Sequence, residues 1–362
     1  MMRNLATIQT ISAIYPIPDA DQIETAQVLG WQVVVRKAEE YRVGDSCVYI
    51  EIDSVLPDSN PAFEFMRERK FRVKTIKLRK QISQGLIFPL SILPTNKKYK
   101  VGQDVTDILG IKKYDPEAVA ENMVCKRDKN LSWLGKILYR FSWYRRWFTK
   151  RGGMEKFPRG VHKTDEIRIQ SCPHVLDIHR GENFYITEKL DGQSVTYYID
   201  KKEFGVCSRN FILTVPKSGS YWGIATKYNM KELLQKAQKD YGINLAIQGE
   251  NIGSGVQGNK YNLTGYEFYL FNVWDITHQR FFTLEEQIDF CLKYGLKHVP
   301  IYDFRSPLDI TIPDLLKIAD RKSMVNPQTP IEGIVVRECG RTTFDRVSFK
   351  VINNEFLLKY GE

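Results

Sequence analysis

A short charged run at the end of an apolar stretch constrains this chain more than any other feature. Residues 184–187 are mostly apolar and aromatic, which indicates a buried strand. The run Glu188-Lys189-Leu190-Asp191-Gly192 follows at once, and buried charges are costly unless they are paired or used. Gly192 lets the backbone turn or approach a ligand closely. The run would therefore present the Lys189 amine, flanked by carboxylates, to a phosphorylated group, and a salt bridge before a turn is the alternative.

The composition is that of a soluble globular protein with a basic bias. The 362 residues are 43% hydrophobic and 27% charged, which predicts two domains and at least one sizeable core. The formal net charge of +10 favours polyanionic partners, nucleic acid before an anionic membrane. No apolar run would span a bilayer, and the N-terminus lacks a secretory signal. The six cysteines lie far apart, so we expect neither zinc nor disulfides, and an intracellular, reducing compartment such as the cytoplasm or nucleus.

Residues 1–112 are predicted to form a small OB-like β-barrel that binds nucleic acid, because short strands alternate with turns. The clearest strands are residues 31–35, 47–52 and 71–78. The last alternates apolar and basic residues, so one face would join the core and the other would carry positive charge. The basic residues concentrated there are Arg67, Arg69, Lys70, Arg72, Lys74, Lys77, Arg79 and Lys80. A solvated sheet face is one interpretation of this run, and contact with nucleic acid is the other.

Residues 113–160 are predicted to be a basic and aromatic linker or insertion. Residues 139–151 interleave aromatic residues with arginines, and three of the six tryptophans lie between Trp133 and Trp147. Aromatic stacking combined with cations holds single-stranded nucleic acid without sequence preference. An amphipathic helix that packs on a neighbouring domain, or one that lies on a membrane surface, would produce the same pattern.

Residues 161–362 are predicted to form a mixed α/β domain with antiparallel sheets, which places the whole chain in the α+β class. Residues 183–209 read as two or three strands with a turn at residues 200–203. Further strands are predicted at residues 245–251, 268–275, 332–338 and 347–352.

Two helices are predicted in the same region from their end signals. Residues 229–241 form the first helix, which Gly242 ends. The second begins at Thr283, where Glu286 completes a capping box, and it stops at Gly295.

Five further elements follow the lysine in a fixed order. They are a strand ending in Arg209, a strand ending in Glu250, the aromatic strand 268–272, a strand opening with Glu332, and a strand that buries Lys350. Each element alone is weak evidence, because charged residues at strand ends are common. The ordered set resembles the nucleotidyltransferase motifs of polynucleotide ligases and mRNA capping enzymes, over roughly residues 163–359.

The order of domains distinguishes the members of that superfamily. DNA ligases and capping enzymes carry an OB domain after the last motif, whereas here the barrel-like region comes first and the chain ends twelve residues after Lys350. With residues 163–170 just upstream of the lysine, the chain resembles the ATP-dependent RNA ligases with an N-terminal OB domain, the Naegleria-type family. One departure is Ser348, because the last ligase motif often has a lysine at that position.

The resemblance implies an ATP-dependent RNA ligase that uses Mg²⁺ or Mn²⁺. The lysine would attack the α-phosphate of ATP, AMP would move to an RNA 5′-phosphate, and a 3′-hydroxyl would then displace AMP. RNA, as a nicked duplex or as single-stranded ends, would be the partner of a monomer that needs no membrane. The alternatives are a nick-sealing ligase for DNA or mixed strands, and a catalytically inactive RNA-binding protein. A GTP-using capping enzyme is disfavoured by the domain order.

The resemblance also implies roles for individual residues. The catalytic residues would be Lys189, Glu250, Glu332 and Lys350. The metal ligands, partly through water, would be Asp191, Glu250 and Glu332. The nucleotide contacts would be Arg168 for the β- and γ-phosphates, Arg209 and Asn210 for the ribose or the RNA 5′-phosphate, Phe271 for stacking on adenine, and Glu188 for the adenine amino group.

The chemistry of the nucleophile adds one constraint. A free lysine has a pKa near 10.4 and must lose its proton to attack. A lone carboxylate would favour the ammonium, whereas a metal ion or another cation favours the neutral amine. We therefore expect the carboxylates to hold a metal rather than to pair directly with Lys189.

Overall fold

The structure, a computed structural model, describes residues 4–95, 97–114, 154–213 and 219–360. The aromatic and basic run at residues 139–151, with Trp133 and Trp147, lies outside these ranges, so its role stays a prediction. Within them, none of the helices combines the length and the apolarity that crossing a membrane requires.

The N-terminal region forms the expected OB-fold from short strands. Their bounds are β1 (Ala6–Pro16), β2 (Ile23–Val28), β3 (Trp31–Arg36), β4 (Ser46–Ile50), β5 (Ser54–Val55), β6 (Thr75–Leu78), β7 (Gln81–Gln84), β8 (Leu86–Pro89) and β9 (Lys112–Lys113). The main sheet has the order β3-β2-β1-β4-β8. A bulge between Ile11 and Ala13 bends β1, so its first half pairs with β4 and its second half with β2. The sheet curls around a core that contains Trp31, Tyr49 and Phe63.

The predicted strand over residues 71–78 is wrong for its first half. Pro61–Arg69 form a 3-10 helix, and Lys70 and Phe71 then adopt positive φ angles, so the chain turns where a strand was expected. Only Thr75–Leu78 form a strand, in a hairpin with β7. The positive charge is therefore spread over the helix end and the hairpin tip rather than along one strand face.

The C-terminal region is the expected mixed domain with largely antiparallel sheets. Its strands are β10 (Met154–Lys156), β11 (Ile167–Arg168), β12 (Asn183–Lys189), β13 (Gln193–Asp200), β14 (Glu203–Cys207), β15 (Phe211–Leu213), β16 (Leu245–Gly253), β17 (Tyr266–Asp275), β18 (Arg280–Phe281), β19 (Lys297–His298), β20 (Ile301–Pro307), β21 (Gly333–Glu338) and β22 (Ser348–Ile352). Its helices are α1 (His174–Ile178), α2 (Ser220–Lys227), α3 (Met230–Tyr241), α4 (Leu284–Tyr294), α5 (Ile312–Ala319) and α6 (Asn354–Tyr360).

The end signals of both predicted helices are confirmed. Helix α3 ends at Gly242, which has a left-handed backbone. Helix α4 begins at Thr283 with a complete capping box to Glu286 and ends at Gly295.

Two sheets of the C-terminal region position the site. The larger has the order β10-β15-β14-β13-β16-β17-β18, with β19 beside β17. The smaller has the order β11-β22-β21-β12-β20 and buries an apolar face under α1 and α5. The Arg346 guanidinium donates a hydrogen bond to Asn272 on the larger sheet at 3.1 Å. Arg346, in the loop before β22, therefore links the two sheets, and the space between them beside Lys189 is called the cleft.

The OB-fold packs directly on this region. The Gly30 backbone N–H donates to the Gln170 carbonyl at 3.0 Å, and a Cβ at Gly30 would clash with Ile312 and with the Gln170 backbone. Gln84 donates to Asn354 of α6 at 3.3 Å. Glycine is required at position 30 because the two backbones approach so closely.

Candidate active site

The predicted nucleophile lies where a central strand ends. Strand β12 runs antiparallel to β21, and Lys189 lies opposite Gly333. Glu332 directly precedes Gly333, so this register brings the lysine and the glutamate side by side. Lys189 Nζ lies 2.5 Å from Glu332 Oε2, and the two side chains are 26% and 7% exposed.

This direct pair differs from the expectation that the carboxylates would avoid Lys189. A carboxylate as buried as Glu332 needs a cationic partner, and the ammonium of Lys189 supplies it. Lysine attack on a phosphate therefore requires this contact to open or the proton to leave.

Glu250 approaches Lys189 from the larger sheet. It lies on β16, where it is paired with Tyr269 of β17. Burial raises the pKa of Glu250 to about 8; Lys189 opposes this effect, and the negative charges of Glu332 and Asp191 add to it. Three carboxylates therefore act on one another in this cleft.

Lys350 and Arg168 add positive charge beside Lys189. Lys350 lies on β22 between Arg168 of β11 and Val335 of β21. Burial lowers the pKa of Lys350 well below its ordinary value, and the charges of Lys189 and Arg168 lower it further. The strand register thus gathers cations next to the nucleophile, which suits a phosphate chain.

Arg168 also reaches out of the domain. Its guanidinium donates to Asp53 of the OB-fold at 3.2 Å, and it is only 9% exposed. The arginine predicted to hold the β- and γ-phosphates is therefore tied to the domain interface, next to Lys350.

Arg209 and Asn210 lie at the rim. Arg209 forms an ion pair with Asp165, and Asn210 accepts a hydrogen bond from Lys163 at 3.4 Å. The charge of Arg209 acts on both Glu250 and Lys350. Arg209 therefore lies within electrostatic reach of the catalytic group, and the predicted ribose or RNA contacts of Arg209 and Asn210 stay predictions.

Comparisons with known proteins agree with this geometry. A family model described as an OB-fold domain matches residues 5–90, and one described as RNA ligase matches residues 182–352. The structure of the Naegleria gruberi RNA ligase with PPi is 32% identical, with a TM-score of 0.80 over 98% of each chain. A mutant of that ligase with ATP and Mn is 33% identical, with a TM-score of 0.82 over 99% of this chain and 100% of the other. A further mutant, with AMP and Mn, is 32% identical, with a TM-score of 0.80 over 98% of each chain.

This chain belongs to the RNA ligase family. The match spans both the OB-fold and the C-terminal region, so it also confirms the order of domains. A comparison with the curated proteins gave no match.

The apolar wall of the ligase pocket contains the predicted stacking residue. Phe271 and Tyr269 are half-buried on one face of β17. They pack against a cluster formed by Leu190, Ile252, Tyr261 and Val299. The Arg337 guanidinium lies 5.7 Å from the Phe271 ring centroid, so one side of this ring faces a cation.

Glu188 is more engaged by the protein than the sequence indicated. It is 1% exposed. Its carboxylate accepts hydrogen bonds from the Tyr302 hydroxyl at 2.8 Å, the Ser323 hydroxyl at 2.5 Å and the Met324 N–H at 3.0 Å. Burial raises the pKa of Glu188, and these three donors oppose that effect. In this arrangement the carboxylate anchors the loop at residues 323–324, and its predicted contact with adenine stays a prediction.

The three predicted metal ligands do not form a ready-made metal centre. Among the residues that the structure describes, no group of three or more acidic, histidine or cysteine side chains is arranged to hold a metal. The physical reason is that Asp191 pairs with Lys260 and Glu332 pairs with Lys189. The metal role of Asp191, Glu250 and Glu332 therefore stays a prediction.

A buried charge network, which the sequence did not predict, lies beside the active site. Glu166 accepts a hydrogen bond from Arg337 at 3.1 Å, and the Arg337 side chain is 3% exposed. Burial alone would raise the pKa of Glu166, but the charges of Arg337 and then Arg346 hold it below its ordinary value. Because Arg346 also bonds Asn272 of the other sheet, this network joins the two walls of the cleft. No local pattern announces it, since its members are far apart in sequence.

Proposed function

We propose that this RNA ligase seals RNA 3′-hydroxyl and 5′-phosphate ends with ATP, through AMP carried first on Lys189 and then on the 5′ end. The main observation behind this proposal is the position of Lys189 at the end of β12. Two cations, Lys350 and Arg168, and two carboxylates, Glu332 and Glu250, surround it there. The Naegleria gruberi ligase structures support this proposal. They contain ATP, AMP and PPi, which are the substrate, the transferred group and the leaving group of such a step.

The first step is lysine attack on ATP. The neutral Lys189 amine would form a bond to the α-phosphorus, and the bond to the bridging oxygen would break and release pyrophosphate. The lysine proton leaves toward Glu332, whose Oε2 already lies 2.5 Å from Nζ. Burial lowers the pKa of Lys350, and its amine can donate a hydrogen bond to the phosphate as negative charge develops there.

The carboxylates of the cleft suit a divalent cation. Oxygen donors are the ligands that Mg²⁺ and Mn²⁺ prefer. Burial, and then repulsion from Glu332 and Asp191, raise the pKa of Glu250, and a bound cation would relieve that repulsion. Asp191, Glu250 and Glu332 would hold it, partly through water. When bound, such an ion favours the neutral amine and offsets charge on the phosphate.

The adenine would lie against the apolar wall. Phe271 offers a π face that suits a base, and Arg337 behind it fixes the ring from the other side. Glu188 holds the loop at residues 323–324 beside this wall. Selection of ATP over GTP would then depend on Glu188 and on the loop that it anchors.

The RNA would cross the OB-fold. Its helix end and hairpin tip expose Arg67, Arg69, Lys70, Lys77, Arg79 and Lys80. Such charge neutralises phosphates and makes binding depend steeply on salt. We propose that residues 1–112 act as this RNA-binding unit and that residues 113–160, whose last part supplies β10 to the larger sheet, connect it to the catalytic unit at 161–362. We also propose that the protein acts as a monomer.

We propose that the protein works in a reducing compartment, as its widely spaced cysteines predict. Cys47, Cys172, Cys207, Cys291 and Cys339 carry free thiols. Burial raises the pKa of Cys47 to about 12 and that of Cys172 to about 11, so these thiols stay protonated and unreactive.

A nick-sealing assay tests the strand preference. Nicked duplexes that carry ribonucleotides or deoxyribonucleotides at the 3′-hydroxyl side are incubated with ATP and Mg²⁺ or Mn²⁺, and sealed product is measured. We expect sealing of the RNA 3′ ends and little or no sealing of all-DNA nicks. Equal sealing of both would contradict the RNA assignment.

A further inference from the structure

A lysine outside all the sequence motifs holds Asp191. Lys260 lies in the loop between β16 and β17, and its ammonium forms an ion pair with the Asp191 carboxylate. The two side chains are 14% and 5% exposed. The backbone N–H of Asp191 donates to the hydroxyl of the next residue, Tyr261, at 2.7 Å. Lys260 therefore holds the side chain of Asp191, and Tyr261 holds its backbone. Asp191 lies two positions after Lys189.

The loop that carries Lys260 is internally braced. The Ser254 backbone N–H donates to the Gly265 carbonyl at 2.9 Å, and the Gly265 N–H donates to the Ser254 hydroxyl at 3.1 Å. Asn259 and Leu263 exchange two hydrogen bonds of 3.0 Å each. Because these bonds close the neck and the tip of the loop, it provides a fixed support rather than a loose tether.

Lys260 also connects the turn to two distant parts of the chain. Its backbone carbonyl accepts a hydrogen bond from the Thr329 hydroxyl at 2.6 Å. Its Nζ lies 4.9 Å from the ring centroid of Phe356 and 4.5 Å from that of Tyr360, both on α6. These aromatic rings add cation–π contacts to the ammonium that pairs with Asp191.

The turn that follows the nucleophile packs closely against β16 at Gly192. A Cβ at Gly192 would clash with the Asn251 carbonyl and with Ile252 on β16. A shift of the turn would therefore be transmitted to Lys189 rather than absorbed locally.

We propose that Lys260 is a positioning residue for the formation of lysyl-AMP. By holding Asp191, it fixes the turn at residues 190–192 and keeps the Lys189 amine aligned with the α-phosphate of ATP. This inference rests on the proposed role of Lys189 as nucleophile. Misplacement of a reacting group by about 1 Å costs about 100-fold in rate, so the effect of losing the support is large.

The test compares Lys260→Met with a matched control, Lys293→Met. Lys293 also pairs with an aspartate, Asp240, at 3.0 Å, and its Nζ lies 5.0 Å and 5.4 Å from the ring centroids of Tyr241 and Tyr294. Its partners belong to α3 and α4 rather than to the pocket. The measured quantity is the single-turnover rate of lysyl-AMP formation at a series of ATP concentrations, by intact-protein mass spectrometry, with thermal midpoints recorded for each variant.

Lys260→Met is expected to lower the maximal rate by about 100-fold while the KM for ATP changes little. Lys260→Arg, which keeps the charge, restores most of the rate, and Lys293→Met reacts like the wild type. Sealing of a pre-adenylylated RNA end, which does not use Lys189 as nucleophile, falls much less. A purely structural role would instead lower both reactions together in proportion to the folded fraction.

Several outcomes would overturn the inference. One is a wild-type rate for folded Lys260→Met, and another is an equal loss in Lys260→Met and Lys293→Met. If Lys260→Met does not fold, Lys260→Gln takes its place and is expected to slow adenylylation by about tenfold or more, because a neutral amide replaces the charge-assisted bond. A wild-type rate for Lys260→Gln would refute the role. If the wild type itself forms no lysyl-AMP, the proposed function fails instead.

Discussion

Replacing Glu166 with glutamine is expected to destabilise the catalytic unit strongly. Glu166 is 16% exposed, and its 3.1 Å partner Arg337 is 3% exposed. The charge of Arg346 also acts on Glu166, so the substitution leaves two arginines without their shared anion. Removal of one partner of a buried pair costs about 3–5 kcal/mol, and we take about 3 kcal/mol because Glu166 is partly exposed.

Urea unfolding followed by tryptophan fluorescence measures this loss. With a denaturant slope of about 3 kcal/mol/M, a loss of about 3 kcal/mol moves the midpoint down by about 1 M. The matched control is Glu64→Gln, which breaks the surface pair between Glu64 and Arg67, whose side chains are 56% and 65% exposed. Its midpoint should not move. An unchanged midpoint for Glu166→Gln, or a shift no larger than that of the control, would refute the reasoning.

The pH dependence gives the same prediction a second test. The folded pKa of Glu166 lies below its ordinary value of 4.5, so the ionised form is favoured in the folded state. Its contribution is therefore present above about pH 4.5 and is lost as the pH falls through the lower folded pKa. The difference in unfolding free energy between wild type and Glu166→Gln should be constant near neutral pH and shrink in acid. A difference that grows in acid would contradict this sign.

Three further predictions concern substrates. Phe271→Ala is expected to raise the KM for ATP in lysyl-AMP formation more than Tyr269→Ala does, because a stacking face for adenine is lost; equal effects would assign the role to both rings. Lys80→Gln should weaken RNA binding and reduce the slope of log affinity against log salt by about 1, as measured by filter binding, and an unchanged slope would remove Lys80 from the interface. Replacing Trp143 and Trp147 with alanine should weaken RNA binding but leave lysyl-AMP formation largely unchanged, and unaltered RNA affinity would favour the packed-helix interpretation.

Local signals accounted for much of the fold. The capping box at Thr283 and the glycine stops at Gly242 and Gly295 depend only on neighbouring residues, and each helix end lies where they indicate. The strand predicted at residues 71–78 was wrong in its first half. Alternation of apolar and basic residues does not show that Lys70 and Phe71 adopt positive φ angles after a 3-10 helix.

The pocket was only partly predictable. The motifs assigned Lys189 and Glu332 to one site, but they did not predict the direct ion pair, which follows from the register of β12 with β21. The pair between Lys260 and Asp191 could not be predicted, because it joins residues 69 positions apart through a loop without motif. The pair between Arg168 and Asp53 joins two domains and depends on how they dock.

The most direct test of the account is intact-protein mass spectrometry of wild type and Lys189→Ala after incubation with ATP and Mg²⁺ or Mn²⁺. The wild type, shown beforehand to carry no adduct, should gain the mass of one AMP, and Lys189→Ala should gain none. A wild type that gains no AMP with either metal, or a Lys189→Ala variant that gains as much as the wild type, would contradict the assignment of Lys189 as the nucleophile.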